Sequence, residues 1–187
     1  MGNSIRSHLS SLTLTEKALA LSFAASGALL AAAHAFEKFG GLAPCVLCLD
    51  QREAHWTALA VAGAGLAVSK LFKSKLGAAA AVGAVALVYF VSAGLAFYHT
   101  GVEYGYWPGP AICSGGAGLG GVNADDLAAS LTQKADAPSC EDVQWRFLGI
   151  SMAGYNLLAS AGLFAFSLFA ALTETRSARR GQGAMLV

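Results

Sequence analysis

The placement of charge constrains this chain more than any other feature: Asp, Glu, Lys and Arg fall in blocks and leave uncharged runs at Ala18 to Phe36, Ala54 to Ser69, Leu76 to Val102 and Phe147 to Thr173. A helix needs roughly 20 mostly apolar residues, about 17 to 25, to cross the hydrocarbon of a bilayer. The first, third and fourth runs are that long. The second reaches the length if His55 and Trp56 sit at one interface, Lys70 extends its amine to the other, and Leu71 and Phe72 are counted in. A soluble bundle would need polar residues recurring along one face of each helix, and these runs have almost none. Only 12% of the residues are charged, against about 25% in an ordinary soluble domain. The expected architecture is all-α: a four-transmembrane-helix bundle forming a single integral membrane domain over residues 1–187, with spans at about 18–36, 54–72, 76–99 and 147–172.

Orientation follows from Lys and Arg. Four spans put both termini and the middle loop on one side, with Arg6, Lys17, Lys70, Lys73, Lys75, Arg176, Arg179 and Arg180; the other side has Lys38, Arg52, Lys134 and Arg146. The imbalance predicts cytoplasmic termini and two outward-facing loops, 37–53 and 100–146, that carry all four cysteines. In a bacterial inner membrane that outer face is the oxidising periplasm. Ala-rich residues 31–35 imitate a signal-peptide cleavage site, but the apolar run is longer than a signal peptide uses, so it is read as the first span. A formal net charge of +1 is uninformative about nucleic acid, and no basic stretch resembles a nucleic-acid patch.

The outer loops carry the chemistry. Pro44-Cys45-Val46-Leu47-Cys48-Leu49-Asp50-Gln51-Arg52 contains a CxxC, a spacing that closes as a disulfide or stands as a reactive dithiol with a lowered thiolate pKa. Proline favours the first helical turn, so Pro44 reads as a helix start with Cys45 and Cys48 on one face, where unpaired N–H groups and the dipole favour a thiolate. Arg52, one turn beyond Cys48, shares that face and can stabilise the thiolate or polarise an acceptor oxygen. His99 ends the third span at the same depth, where its spacing reads equally as an ordinary interfacial histidine or, together with Arg52, as a hydrogen-bond donor to the carbonyls of a quinone. His34 and His55 read as interfacial histidines without a visible partner.

In the second loop, Tyr104 to Pro108 is aromatic enough for the headgroup layer, Gly115 to Gly121 is flexible, and Asn123 caps a short amphipathic helix over 124–133. Cys113 and Cys140 flank this stretch, and a disulfide across it is entropically reasonable. Four cysteines permit three pairings. A CxxC disulfide closes too small a loop to act as a structural staple. Zinc ribbons use two close pairs where this chain has one, so a metal site ranks below redox chemistry.

Pro44-Cys45-Val46-Leu47-Cys48 with Gln51-Arg52, Tyr98-His99-Thr100 leading to Pro108-Gly109-Pro110 and Cys113, and Cys140 followed by Gln144-Trp145-Arg146-Phe147-Leu148-Gly149 together resemble the disulfide bond formation protein B (DsbB) family. The resemblance covers all four spans and the order of the cysteine pairs. The chain departs from it in the Gly-rich stretch before residue 122, in Gln51, where the best-known members have an acidic residue, and in Glu103, near where they have an amide. The resemblance implies a protein-dithiol:quinone oxidoreductase of the bacterial inner membrane. It would oxidise a DsbA-like periplasmic thioredoxin-fold protein and reduce ubiquinone or menaquinone, sustaining disulfide bond formation. Transferred by position, Cys113 takes the partner's thiolate with Cys140 as its loop partner, Cys45 exchanges with the loop cysteines, and Cys48 donates to the quinone. Arg52 and His99 would flank the quinone, with Leu95 and Met152 as apolar walls. Vitamin K epoxide reductases also join four helices, a CxxC and a quinone, but their loop cysteines precede the CxxC. The alternative outside the enzymes is a membrane metal-handling or scaffold protein with structural cysteines.

Overall fold

The computed structural model describes residues 12–72, 74–110, 113 and 138–183. Four long helices dominate them: α1, Leu14–Gly40; α2, Val46–Leu71; α3, Lys75–Glu103; and α4, Met152–Gly183. Their ends are set by capping chemistry rather than by the limits of the apolar runs, so they overrun the expected spans. Thr13 and Glu16 form a capping box at the start of α1, each side chain accepting the other's backbone N–H at 3.2 and 3.0 Å. Gly41, at φ 67°, ends it in the left-handed conformation. At α2 the cap is Cys45 itself, so Pro44 precedes the helix instead of starting it, and α2 begins ahead of the expected span.

Ala18 and Leu19 of α1, Ala58 and Ala62 of α2, Val82, Val85 and Tyr89 of α3 and Ala170 of α4 share one buried core. The small residues let the backbones come close: a Cβ on Gly65 of α2 would lie 2.5 Å from that of Ala81 on α3. Leu87, Phe90, Phe97, Leu158 and Phe169 face outward from α3 and α4, an apolar exterior suited to lipid. Leu14–Gly40, Leu76–Glu103 and Met152–Arg176 are long and apolar enough to cross a membrane, which makes this a multi-pass membrane protein. By the same measure α2 is not: Asp50, Arg52 and Glu53 fill its second turn, and past them His55, Trp56, Thr57, Ser69 and Lys70 dilute the apolar stretch. Lys70, expected to extend to the interface, is exposed and pairs with Glu16 at 3.1 Å, and Ser69 donates to the same carboxylate at 2.8 Å. This polar tie joins α1 and α2 at the end away from the cysteines.

The expected fourth span begins too early. Arg146–Phe147 (β1) and Ile150–Ser151 (β2) pair antiparallel, Arg146 opposite Ser151, before α4 starts at Met152. Leu148 at φ 48° and Gly149 at φ 79° make the turn, the positive pair a two-residue hairpin favours. The all-α expectation thus gains a small hairpin. The Gly115–Gly121 stretch and the helix expected over 124–133 lie outside the described residues.

Candidate redox site

Because Cys45 is the N-cap of α2, its sulfur turns back over the first turn and accepts the Cys48 N–H at 3.3 Å. The two sulfurs lie 2.7 Å apart, both as free cysteines. Their surroundings divide them. The hydrogen bond from the Cys45 thiol holds the Cys48 thiol below its ordinary range, against the opposing effect of burial, and Arg52 adds attraction for the thiolate. The same bond and burial push Cys45 up. Cys48 is therefore the more acidic thiol of the pair.

Cys113 and Cys140 form a disulfide with their Cα atoms 5.2 Å apart. Cys45, Cys113 and Cys140 are buried in one cluster with Leu47 and Val102, with Cys48 and Trp107 packed against it. An oxidised pair and a reduced pair thus share one packing environment, although the loop cysteines are far from the CxxC in sequence.

Beside the pair opens a cavity of about 330 Å³. Leu29, Leu30, Ala33 and Phe36 of α1 form its apolar side, and Cys45, Cys48, Arg52 and His99 lie in its wall. Arg52 donates to Glu37 at 2.5 Å and to the Ala33 carbonyl at 3.2 Å, which orients a guanidinium that has five N–H donors in all. Met152, at the head of α4, lines the cavity, whereas Leu95 is half-buried on α3 and is not among the lining residues. His99 lines it too, but its nitrogens meet protein groups: Nδ1 lies 2.8 Å from Gln51 Nε2 and Nε2 lies 3.6 Å from the Cys45 sulfur. An apolar pocket of this size with an arginine and a thiolate at its inner wall fits a quinone ring. Cys45, Cys48 and His99 also offer ligand atoms within 4.8 Å of one another, and two thiolates with an imidazole suit zinc if a fourth ligand is supplied.

Several residues around the site escaped sequence reasoning. His55 is not interfacial: it is buried, 2.7 Å from Asn156 and 3.2 Å from Ser26. Asn156 donates to Gln51 at 2.6 Å. Gln144 donates to the Ala43 carbonyl at 2.9 Å, tying the second loop to the first, and Trp145 packs on Phe36 at 5.2 Å beside the cavity. The signal for Asn156 was present, since it is the one amide in the fourth apolar run and polar groups at membrane depth are functional candidates by default.

A dithiol and a disulfide packed together at one end of a multi-pass helical protein define a membrane thiol–disulfide oxidoreductase. Residues 15–170 match the family described as Disulfide bond formation protein DsbB. The chain belongs to that family, whose members are oxidoreductases of disulfide bond formation with redox-active cysteines. It is 35% identical over 153 residues to Disulfide bond formation protein B of Methylococcus capsulatus, covering 79% of this chain and 88% of that one. The protein of the same name from Xanthomonas axonopodis pv. citri is 29% identical over 163 residues, covering 84% and 90%. No solved structure matches the chain at a significant level.

Proposed function

We infer that this protein oxidises a DsbA-like periplasmic thioredoxin-fold dithiol and passes two electrons through Cys113/Cys140 and then Cys45/Cys48 to ubiquinone or menaquinone in the membrane. The termini are cytoplasmic and the cysteines periplasmic, on the Lys and Arg distribution. All four helices belong to the membrane domain, α2 being carried among the three more apolar ones. The observation that carries the reading is the burial of an oxidised cysteine pair and a reduced pair in one cluster, next to an apolar cavity.

The chemistry divides among the residues. The partner's thiolate attacks the Cys113 sulfur and Cys140 leaves as a thiolate; the partner's second thiol then displaces Cys113 and leaves oxidised. The loop thiols pass the two electrons to a Cys45–Cys48 disulfide by exchange at Cys45, which restores the Cys113–Cys140 bond and leaves the CxxC reduced. A quinone bound beside Cys48 would supply the two-electron acceptor and take up two protons as the CxxC closes again. Arg52 holds the head group and favours the Cys48 thiolate, and the apolar wall keeps water out. The acceptor is energetically necessary. A DsbA-type disulfide sits near about −120 mV against about −270 mV for thioredoxin, so an ordinary dithiol would face an uphill gap of roughly 150 mV, about 7 kcal/mol for two electrons.

The test is quinone-dependent oxidation of a reduced DsbA-type protein by the purified chain in lipid, with Cys48→Ser and Cys113→Ser for comparison. Quinone reduction by the wild type that is lost in both variants is the expected result. No oxidation with several partners and quinones, together with stoichiometric bound metal and inert thiols, would return the protein to the metal-handling alternative.

A further inference from the structure

A line of buried polar side chains runs from the CxxC toward the middle of the bundle. From Cys45 it passes to His99, and from His99 Nδ1 to Gln51 Nε2 at 2.8 Å. Gln51 Oε1 meets Asn156 Nδ2 at 2.6 Å, Asn156 Oδ1 meets His55 Nε2 at 2.7 Å, and His55 Nδ1 meets Ser26 Oγ at 3.2 Å. Tyr89 closes the line, 2.8 Å from Ser26. Ser26, Gln51, His55, Tyr89 and His99 are all buried, and the line draws on all four helices. Polar groups so placed are costly unless paired, and each of these is paired.

One backbone carbonyl fixes the direction of donation. Gln51 Nε2 lies 3.1 Å from the Leu47 oxygen, which can only accept, so the amide nitrogen must be on that side and also donates to His99 Nδ1. A ring nitrogen that accepts carries no proton, so neutral His99 has its proton on Nε2. There it faces the Cys45 sulfur at 3.6 Å and the Glu103 carboxylate at 3.9 Å, both acceptors. On the other side Gln51 Oε1 can only accept, so Asn156 donates its amide N–H and its oxygen takes the His55 Nε2 proton. His55 Nδ1 then accepts from the Ser26 hydroxyl. From Ser26 onward every link to His99 donates toward the cysteines, the Tyr89 proton lying between the Ser26 hydroxyl and the Ser22 carbonyl at 2.8 and 3.1 Å. With Cys48 the more acidic thiol, the Cys45 thiol donates the last. Hydrogen bonds aligned in one direction polarise one another. The charged groups around the pair are Arg52 of α2, bonded to Glu37 of α1, Glu103 of α3, held by Ser151 beside α4, and Asp142 of the second loop in the cavity wall.

We propose that Asn156 and His55, acting through Gln51, are positioning residues that hold His99 in its Nε2–H tautomer, so that an unbroken run of donors ends on the Cys48 thiolate. His99 thereby serves the thiol pair rather than the acceptor. This deepens the thiol:quinone reading and rests on Cys48 being the electron-donating thiolate.

The test uses the full chain carrying Cys113→Ser and Cys140→Ser, so that only the CxxC titrates, in micelles without quinone or protein partner. Histidine ring ¹⁵N spectra report the His99 tautomer, and the pH profile of Cys48 alkylation reports its thiolate. The parent should show His99 protonated on Nε2. Gln51→Glu, which sets an acceptor against Nδ1, should move the proton to Nδ1. Asn156→Leu and His55→Leu should shift the alkylation profile upward, by about one pH unit for Asn156→Leu, a tenfold loss of thiolate below the midpoint. His55→Gln, whose amide can donate to Asn156 and accept from Ser26, should restore it, a rescue that a merely space-filling role would not require. If Asn156→Leu fails to fold, the two His55 variants decide. An Nε2–H tautomer in Gln51→Glu, or one alkylation profile shared by the parent and both His55 variants, would overturn the proposal. Neither readout involves a quinone, so this failure is distinct from a failure of quinone reduction.

Discussion

Gly101 presses against Trp107 so closely that a Cβ there would lie 1.9 Å from the indole ring, and Gly101→Ala must therefore evict the tryptophan. Trp107 donates its ring N–H to the Tyr98 carbonyl at 2.8 Å, stacks on Tyr98 at 6.1 Å and meets Phe97 at 5.5 Å. Losing the hydrogen bond costs about 0.5–1.5 kcal/mol, and each aromatic contact about the same. Alanine returns about 0.5–1 kcal/mol by its better helix propensity. The expected net loss is about 2 kcal/mol, measured by SDS titration in mixed micelles. Trp107 also packs over the Cys45, Cys113 and Cys140 cluster, so a small thiol should reduce the Cys113–Cys140 bond faster in the variant. In a Trp107→Ala background the same glycine substitution should be neutral or slightly stabilising, because the ring its Cβ would meet is gone. Equal destabilisation in both backgrounds would refute the argument.

Arg52→Lys keeps the charge but cannot hold both Glu37 and the Ala33 carbonyl as the guanidinium does. With one charge-assisted hydrogen bond lost, about 1.5–3 kcal/mol, the KM for quinone should rise roughly ten- to hundredfold; an unchanged KM would remove Arg52 from the head-group site. Because its pKa is depressed by the Cys45 thiol, Cys48 should stay reactive toward iodoacetamide as pH falls below the ordinary thiol range near about 8.5. Cys45→Ala removes the donor and should move that profile to higher pH, and a profile that stays put or moves lower would contradict the assignment of the proton to Cys45.

Much of this protein could be read from neighbouring residues alone. Charge-free runs mark the helices because each residue's transfer into lipid is a local property, and Cys45-x-x-Cys48 with Arg52 announces its chemistry because one helical turn brings those side chains together whatever the rest of the chain does. The boundaries were less legible. Thr13 and Cys45 start their helices through caps, and Leu148 with Gly149 turns a hairpin where the apolar pattern continues into α4. The polar interior was not legible: His55 appeared to be an interfacial histidine because its partners, Ser26 and Asn156, stand 29 and 101 positions away. The sequence by itself determined the membrane class, the helices and the reactive thiols. Only the tertiary structure decided which polar groups meet, and so which way their protons point, because a hydrogen bond needs its two atoms within about 3 Å and no spacing along the chain records that distance.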